Sequence, residues 1–341
     1  MRVGILTSGG DCPGLNAVIR GIVLKGDKVY EHTFLGIQDG YRGLIEDDIV
    51  SLPRKQVRGL SKQGGTILGT SRMGPYGEGN GGAERVKEVM DRHDMDAFIA
   101  IGGEGTLTVA RMLHDEGVPV VGVPKTIDND LSATDVTFGF ETAVAIATES
   151  IDRLRTTAES HHRCMVVEVM GRDTGWIALN AGIASGAHAV LIPEVPVTIE
   201  QVATWVQATV NRGRAPVVVV AEGFRLAGQD VSAKHGVDDM GRPRLGGIGE
   251  LLTPIIEELT GIETRSMTLG HLQRGGVPTS YDRVLATRFG THAIDAVHRK
   301  EWGSMVALRG IDIVSVKLAE ATSELKSVPK YRWDEAAILF G

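Results

Sequence analysis

At 341 residues, 42% hydrophobic and 23% charged, the chain has an ordinary soluble globular composition and exceeds the roughly 100–200 residues of a single core, so two domains are expected. Its 36 Lys and Arg against 43 Asp and Glu give a formal net charge of −7. A general nucleic-acid binder is usually basic, so nucleic acid is not expected as a partner, whereas local arginines can still take an anionic small molecule. Two distant cysteines, Cys12 and Cys164, offer no disulfide framework or zinc site and read as buried free thiols. No run approaches the ~20 apolar residues of a membrane span. The chain enters a strand-like run at Val3–Leu6 with no charged leader before it, and a cytoplasmic location is the expectation.

In chain order, short β-rich runs alternate with helical patterns. Strands are predicted at Val3–Leu6, Ala97–Ile101, Val118–Val123, Met165–Val169, Ala189–Ile192 and Val217–Ala221. Helices are predicted at Asn16–Lys25, Ala83–Arg92, Leu107–Glu116, Glu141–Thr156, Trp176–Ser185 and Ile199–Asn211. Such alternation implies α/β architecture, with parallel sheets wound by βαβ crossovers and ligands at the carboxyl ends of the strands. The polar, glycine-rich stretch 225–249, with Lys234-His235 and Asp238-Asp239-Met240-Gly241, reads as a surface loop or insertion.

The 44 glycines exceed the usual share of about 7%, and many fall where an apolar strand ends. After the first strand, Ser8-Gly9-Gly10-Asp11-Cys12-Pro13-Gly14-Leu15-Asn16 can present backbone N–H groups and a helix N-terminus to phosphate, or serve as a tight turn. It is neither a Walker A loop nor a dinucleotide fingerprint. Gly102-Gly103-Glu104-Gly105-Thr106 sets a carboxylate between glycines at a strand end, suited to Mg²⁺ near phosphates, although by itself the segment fits a solvated loop glutamate slightly better. Pro124-Lys125-Thr126-Ile127-Asp128-Asn129-Asp130 follows an apolar strand. Its two carboxylates can divide proton acceptance and metal binding, although Asp-Asn-Asp is also a common turn. Farther on, Arg163, Arg172, Arg265 and Arg274 sit in loop-like settings, several of them beside glycines, and can clamp a sugar phosphate bidentately. Glu222, after Val217–Ala221, is placed to hydrogen-bond sugar hydroxyls or to end a strand.

Taken in order, Gly9 to Asn16, Gly102 to Thr106, Pro124 to Asp130, Met170-Gly171-Arg172 and Gly270-His271-Leu272-Gln273-Arg274-Gly275-Gly276 resemble the phosphofructokinase A family over nearly the whole chain. The resemblance implies two Rossmann-like domains with an active site in the cleft between them. A phosphoryl-donor domain would span 1–138 plus 273–322, and a fructose-6-phosphate domain 139–272 plus 323–341. It further implies Mg²⁺, ATP as co-substrate and a homotetramer under allosteric control, acting in glycolysis. Asp128 would take the proton from the C1 hydroxyl beside Thr126, and Glu104 and Asp130 would serve Mg²⁺. Gly10, Tyr41, Arg72, Gly105 and Thr106 would surround the donor. Arg172 would stabilise the transferring group. Met170, Gly171, Glu222, His271 and Arg274 would contact the sugar phosphate, and Arg163 and Arg265 would reach its 6-phosphate across a subunit interface.

Three departures bear on this. Lys125 is typical of pyrophosphate-using members, but those usually carry aspartate where this chain has Gly105, and glycine leaves room for the α-phosphate of a nucleotide. The pair resembles the ATP-dependent actinobacterial branch, so ATP is the expected donor and pyrophosphate the alternative. Glu104 replaces a more common aspartate. At positions matching the family's effector pocket Arg20 and Arg155 remain, while Leu24 and His188 stand where charged groups are usual. A non-catalytic regulatory paralogue would have lost Asp128, Asp130 or Arg172, and all three are present. A nicotinamide dehydrogenase would need a better glycine fingerprint than the first loop offers.

Overall fold

The computed structural model describes residues 1–226 and 245–341. The chain divides into two compact units, Met1–Thr142 with Arg274–Leu325, and Ala143–Gln273 with Lys326–Gly341. The architecture is α/β with mostly parallel sheets, as the alternation of elements predicts.

In the first unit the strands are β1 (Arg2–Thr7), β2 (Thr33–Ile37), β3 (Ile49–Ser51), β4 (Ala97–Gly102), β5 (Val120–Thr126) and β6 (Phe138–Gly139). The second unit contributes β7 (Cys164–Val169), β8 (Ala189–Leu191), β9 (Val217–Ala221) and β10 (Thr264–Thr268). The chain then returns to the first with β11 (Ser304–Arg309) and β12 (Asp312–Lys317). The first sheet runs β12-β11-β5-β4-β1-β2-β3, with β6 beside β5. Its centre is parallel, Ile5 lying opposite Ile99 and Ile99 opposite Val121, and its outer strands β3 and β12 pair antiparallel. Val3, Ile5, Phe98, Ile99 and Ile101 are fully buried. Helices cover both faces of such a sheet, which is why these strands read as continuous apolar runs. Two of those helices, Leu15–Tyr30 and Ser280–His298, approach backbone to backbone. A Cβ at Gly290 would fall 2.4 Å from the Val18 carbonyl oxygen, so that crossing admits only glycine. The second sheet is all parallel, in the order β10-β7-β9-β8.

The predicted helices stand, several extended at their ends: Asn16–Lys25 belongs to Leu15–Tyr30, and Leu107–Glu116 to Glu104–Asp115. The strand predicted from Val118 begins two residues later and runs through Thr126. Of the stretch expected as a loop, 227–244 lies outside the described residues. Leu226 bridges to Val197, and Ile248 and Gly249 already belong to the helix Ile248–Thr260, correcting the expected loop at that end. Both cysteines are buried and unpaired. Among the described residues no helix is long and apolar enough to cross a membrane.

Three helix starts are satisfied by carboxylates distant in sequence. Asp282 accepts hydrogen bonds from the Gly139 and Thr142 amides (3.0 and 2.8 Å) and from the Thr142 hydroxyl (2.6 Å) at the start of Phe140–His161. Glu168, buried in β7, accepts from the Gly247 and Gly249 amides, each at 2.9 Å, at the start of Ile248–Thr260. Glu194 accepts from the Gly175 amide at 3.0 Å ahead of Trp176–Ser185. Gly247 and Gly175 carry no side-chain acceptor of their own, so a remote carboxylate fills the capping position. Asp282→Ala is therefore expected to cost about 2–4 kcal/mol, because three buried donors lose an anionic acceptor at once. The thermal midpoint would fall by several degrees, and an unchanged midpoint would show that these bonds contribute nothing.

Candidate active site

Strands β1, β4 and β5 are adjacent and parallel, so their carboxyl ends present three successive loops along one sheet edge. At the first, Gly9 adopts φ 80°. Its amide donates to the Ser71 carbonyl at 3.0 Å, and its own carbonyl accepts from the Thr70 hydroxyl at 2.5 Å. These bonds lay the segment carrying Arg72 against the turn. A Cβ at Gly10 would lie 2.5 Å from Nη1 of Arg274, whose guanidinium donates to the Asp11 carbonyl at 3.3 Å. Lys125 is nearly fully buried and gives its ammonium to the Gly10 carbonyl. Burial, and then the nearby Arg274 charge, lower its pKa. Arg274, expected with the sugar-phosphate residues, thus sits on the glycine turn of the first unit.

At the end of β4, Glu104 opens a helix, and its carboxylate accepts from the Thr108 hydroxyl at 2.9 Å. Gly105 is exposed, and a Cβ there would meet nothing within 4 Å. Thr106 is buried, and its carbonyl accepts from the Tyr41 hydroxyl at 2.9 Å. Tyr41, expected near the donor, has a ring that is 1% exposed and packs edge-on against Phe98, so its side chain supports Thr106 from the core.

The third loop follows β5. Asn129 takes the left-handed conformation at φ 52°, which asparagine tolerates better than most residues. Its side-chain oxygen accepts from the Thr137 amide at 3.1 Å, while the Thr137 hydroxyl donates to the Thr126 carbonyl at 2.8 Å. The Asp128 amide donates to the Thr126 hydroxyl at 3.1 Å. These bonds fix the turn between the two aspartates. Sequence reading missed Thr137, which lies eleven residues beyond Thr126 without a motif of its own. The Asn129 signal, an asparagine between two aspartates in a turn, was present in the sequence.

Oδ1 of Asp130 is buried without a hydrogen-bond partner. Burial first, then the Asp128 charge, with a smaller push from Glu104, raises the Asp130 pKa to about 6. An ionised carboxylate with one unsatisfied oxygen among like charges is what a cation would relieve. Among the described residues no three His, Cys, Asp or Glu side chains are grouped to hold a metal alone. Mg²⁺ commonly takes one or two carboxylates and completes its shell with water and phosphate oxygens, and the unpartnered oxygen of Asp130 fits that chemistry.

In the second unit β7 lies between β10 and β9, and the turns after these strands bring Met170, Gly171, Arg172, Glu222 and His271 to one edge. The Glu222 amide donates to the Val169 carbonyl at 2.9 Å, and the Gly223 amide to the Gly171 carbonyl at 3.0 Å. Buried Gln273, missed in the sequence, joins two of these turns: its oxygen accepts from the Met170 amide at 3.3 Å, and its amide group donates to the Gly270 carbonyl at 3.1 Å. Arg163 and Arg265 are not at this edge. Arg163 directly precedes β7 and Arg265 is the second residue of β10, so both lie at the opposite ends of these strands, where both bond Glu263. Elsewhere in the unit, Arg155 donates to the Gly186 carbonyl at 2.7 Å. His188 accepts from the Val217 amide at 3.0 Å, and burial, then Arg155, push its pKa down to about 4.

A family model described as Phosphofructokinase matches residues 2–297. A pyrophosphate–fructose 6-phosphate 1-phosphotransferase of Amycolatopsis methanolica is 57% identical, covering 100% of both chains. ATP-dependent 6-phosphofructokinase 3 of Streptomyces coelicolor is 53% identical over 98% of this chain and 99% of its own. Among solved structures, the phosphofructokinase of Pichia pastoris in the T-state superposes with a TM-score of 0.83 at 33% identity. That match covers 94% of this chain and 35% of the longer yeast chain.

In metal-free buffer at pH 8, Asp130→Asn is expected to raise the unfolding midpoint, by the equivalent of about 1–3 kcal/mol. The sign follows from the raised pKa: the folded protein binds this proton more tightly than the unfolded chain does. Wild type therefore gains stability as pH falls from above 6 towards 4, and the advantage of the variant shrinks over the same window. A midpoint below wild type at pH 8 would show that the carboxylate is already satisfied.

Proposed function

The chain belongs to the phosphofructokinase family, and we propose that it is an ATP-dependent 6-phosphofructokinase, transferring the γ-phosphoryl of ATP to the C1 hydroxyl of fructose 6-phosphate. The observation that carries this reading is the aspartate pair at the end of β5, both members partly exposed and one of them with a buried, unpartnered oxygen, beside two glycine-rich strand ends.

Asp128 is the base for the C1 hydroxyl. The bond from its amide to Thr126 and the Thr137 brace hold the turn that presents it, and a positioned carboxylate suits a transfer in which little covalent work falls to the protein. Glu104 and Asp130 would hold Mg²⁺, directly or through water, and the bound ion would supply positive charge to the phosphoryl oxygens. Gly10, Arg72, Gly105 and Thr106 surround the donor, which we assign to the first unit. Met170, Gly171, Glu222 and His271 contact fructose 6-phosphate, which we assign to the second unit, and Arg172 stabilises the transferring group. Arg163 and Arg265 take the 6-phosphate of a neighbouring protomer within a homotetramer. A cytoplasmic, glycolytic role accords with this chemistry.

Two features support ATP as donor. Open space at Gly105 leaves room for an α-phosphate, and Lys125, the residue shared with pyrophosphate-using members, is committed to the Gly10 carbonyl. Pyrophosphate remains the second reading because relatives at 55–57% identity carry that name.

Initial rates with fructose 6-phosphate, Mg²⁺ and either donor decide between them: turnover with ATP and little or none with pyrophosphate is expected, and the reverse overturns the donor. Gly105→Asp should weaken ATP use far more than any pyrophosphate activity, and unchanged ATP kinetics would remove the reason for choosing ATP. Asp128→Ala should lower turnover by roughly 10²–10⁴ while fructose 6-phosphate still binds. Near-normal turnover would defeat the base assignment.

A further inference from the structure

At the amino ends of β7 and β10, the guanidiniums of Arg163 and Arg265 converge on the two oxygens of one carboxylate. Nε of Arg163 stands 2.8 Å from Oε2 of Glu263, and Nη2 of Arg265 bonds Oε1. Arg265 also donates from Nη1 to its neighbour's carbonyl, Thr264, at 2.9 Å. A second carboxylate, Glu257, is 4.0 Å from Arg265 and accepts from the Thr264 amide at 3.0 Å. Among the described residues Glu263 is the carboxylate that engages both arginines. In the single chain its side chain is 40% exposed, against 33% and 53% for Arg163 and Arg265, so the group lies at the surface. The bond from Arg163, with the charge of both arginines, holds the Glu263 carboxyl below the usual carboxylate range and keeps it ionised.

Two guanidiniums on one oxyanion is also the arrangement with which proteins hold phosphate. Resting on the reading that Arg163 and Arg265 take the 6-phosphate, we propose that Glu263 is an internal competitor for that phosphate, occupying the arginine pair until the sugar phosphate displaces it. A carboxylate brings one charge, whereas a sugar phosphate near neutral pH brings up to two and three acceptor oxygens, so the exchange favours substrate. Ion pairs at the surface hold weakly, so Glu263 can give up both arginines when a phosphate arrives. Its effect is to weaken substrate affinity without touching the reacting atoms.

Glu263→Gln keeps an acceptor for the arginines and removes the competing charge. The variant is expected to lower KM for fructose 6-phosphate by about 3- to 10-fold, with kcat and the donor KM within about twofold of wild type. Inorganic phosphate, titrated calorimetrically, should likewise bind the variant more tightly. An unchanged KM overturns the proposal. A raised KM overturns it too, since Glu263 would then be holding the arginines in place. Arg163→Ala separates this inference from the reading beneath it. If Arg163→Ala leaves KM for fructose 6-phosphate unchanged, the arginine pair is not the phosphate site and both ideas fall. If it raises KM while Glu263→Gln does not lower it, only the competitor role is lost.

Discussion

Oδ1 of Asp130 is buried with no hydrogen bond, within reach of the Asp128 and Glu104 charges. Holding an ionised carboxylate that way is costly, and the cost persists only if the surrounding backbone cannot relax to remove it. The bonds from Thr137 to Asn129 and Thr126, with that from the Asp128 amide to Thr126, prevent such relaxation. The left-handed residue at Asn129 is what allows two aspartates to follow one another out of a single parallel strand without both facing the core.

The same chemical group is satisfied elsewhere in the molecule. Asp282, Glu168 and Glu194 are carboxylates removed wholly or partly from water, and each accepts two or more hydrogen bonds at the start of a helix. The fold can evidently supply donors to a buried acid where stability requires it. Against that background the orphaned oxygen of Asp130 accords with the proposed role, in which a cation carried with phosphate would be its partner.

How much of this was legible follows from burial. Strands β1, β4, β5, β7, β8 and β9 read clearly because both faces are covered and the sequence runs apolar. Strand β10, Thr-Arg-Ser-Met-Thr, has no pattern that separates it from a loop, while β2, β11 and β12 were not predicted although β2 and β11 are buried and β12 is rich in β-branched residues. The site residues announced themselves as glycines and charges at strand ends. Thr137, Gln273 and Glu168 did not, because each matters only through a contact made by the folded chain. Tyr41, which the resemblance puts near the donor, meets the donor loop from within the core, its hydroxyl serving the Thr106 carbonyl.

The donor question shows why side-chain identity alone misleads. Lysine at position 125 would argue for pyrophosphate if its ammonium faced a bound donor. Here burial makes the free charge expensive, and the Gly10 carbonyl takes it, so the lysine shapes the glycine turn instead. Gly105 differs because it carries no side chain and faces open space. Any carboxylate added there would stand in solvent-exposed territory at a helix start already occupied by Glu104, adding negative charge where, on the proposed reading, the polyphosphate of ATP would pass. On that reading the position that lacks a side chain would govern what can approach more than the buried lysine does.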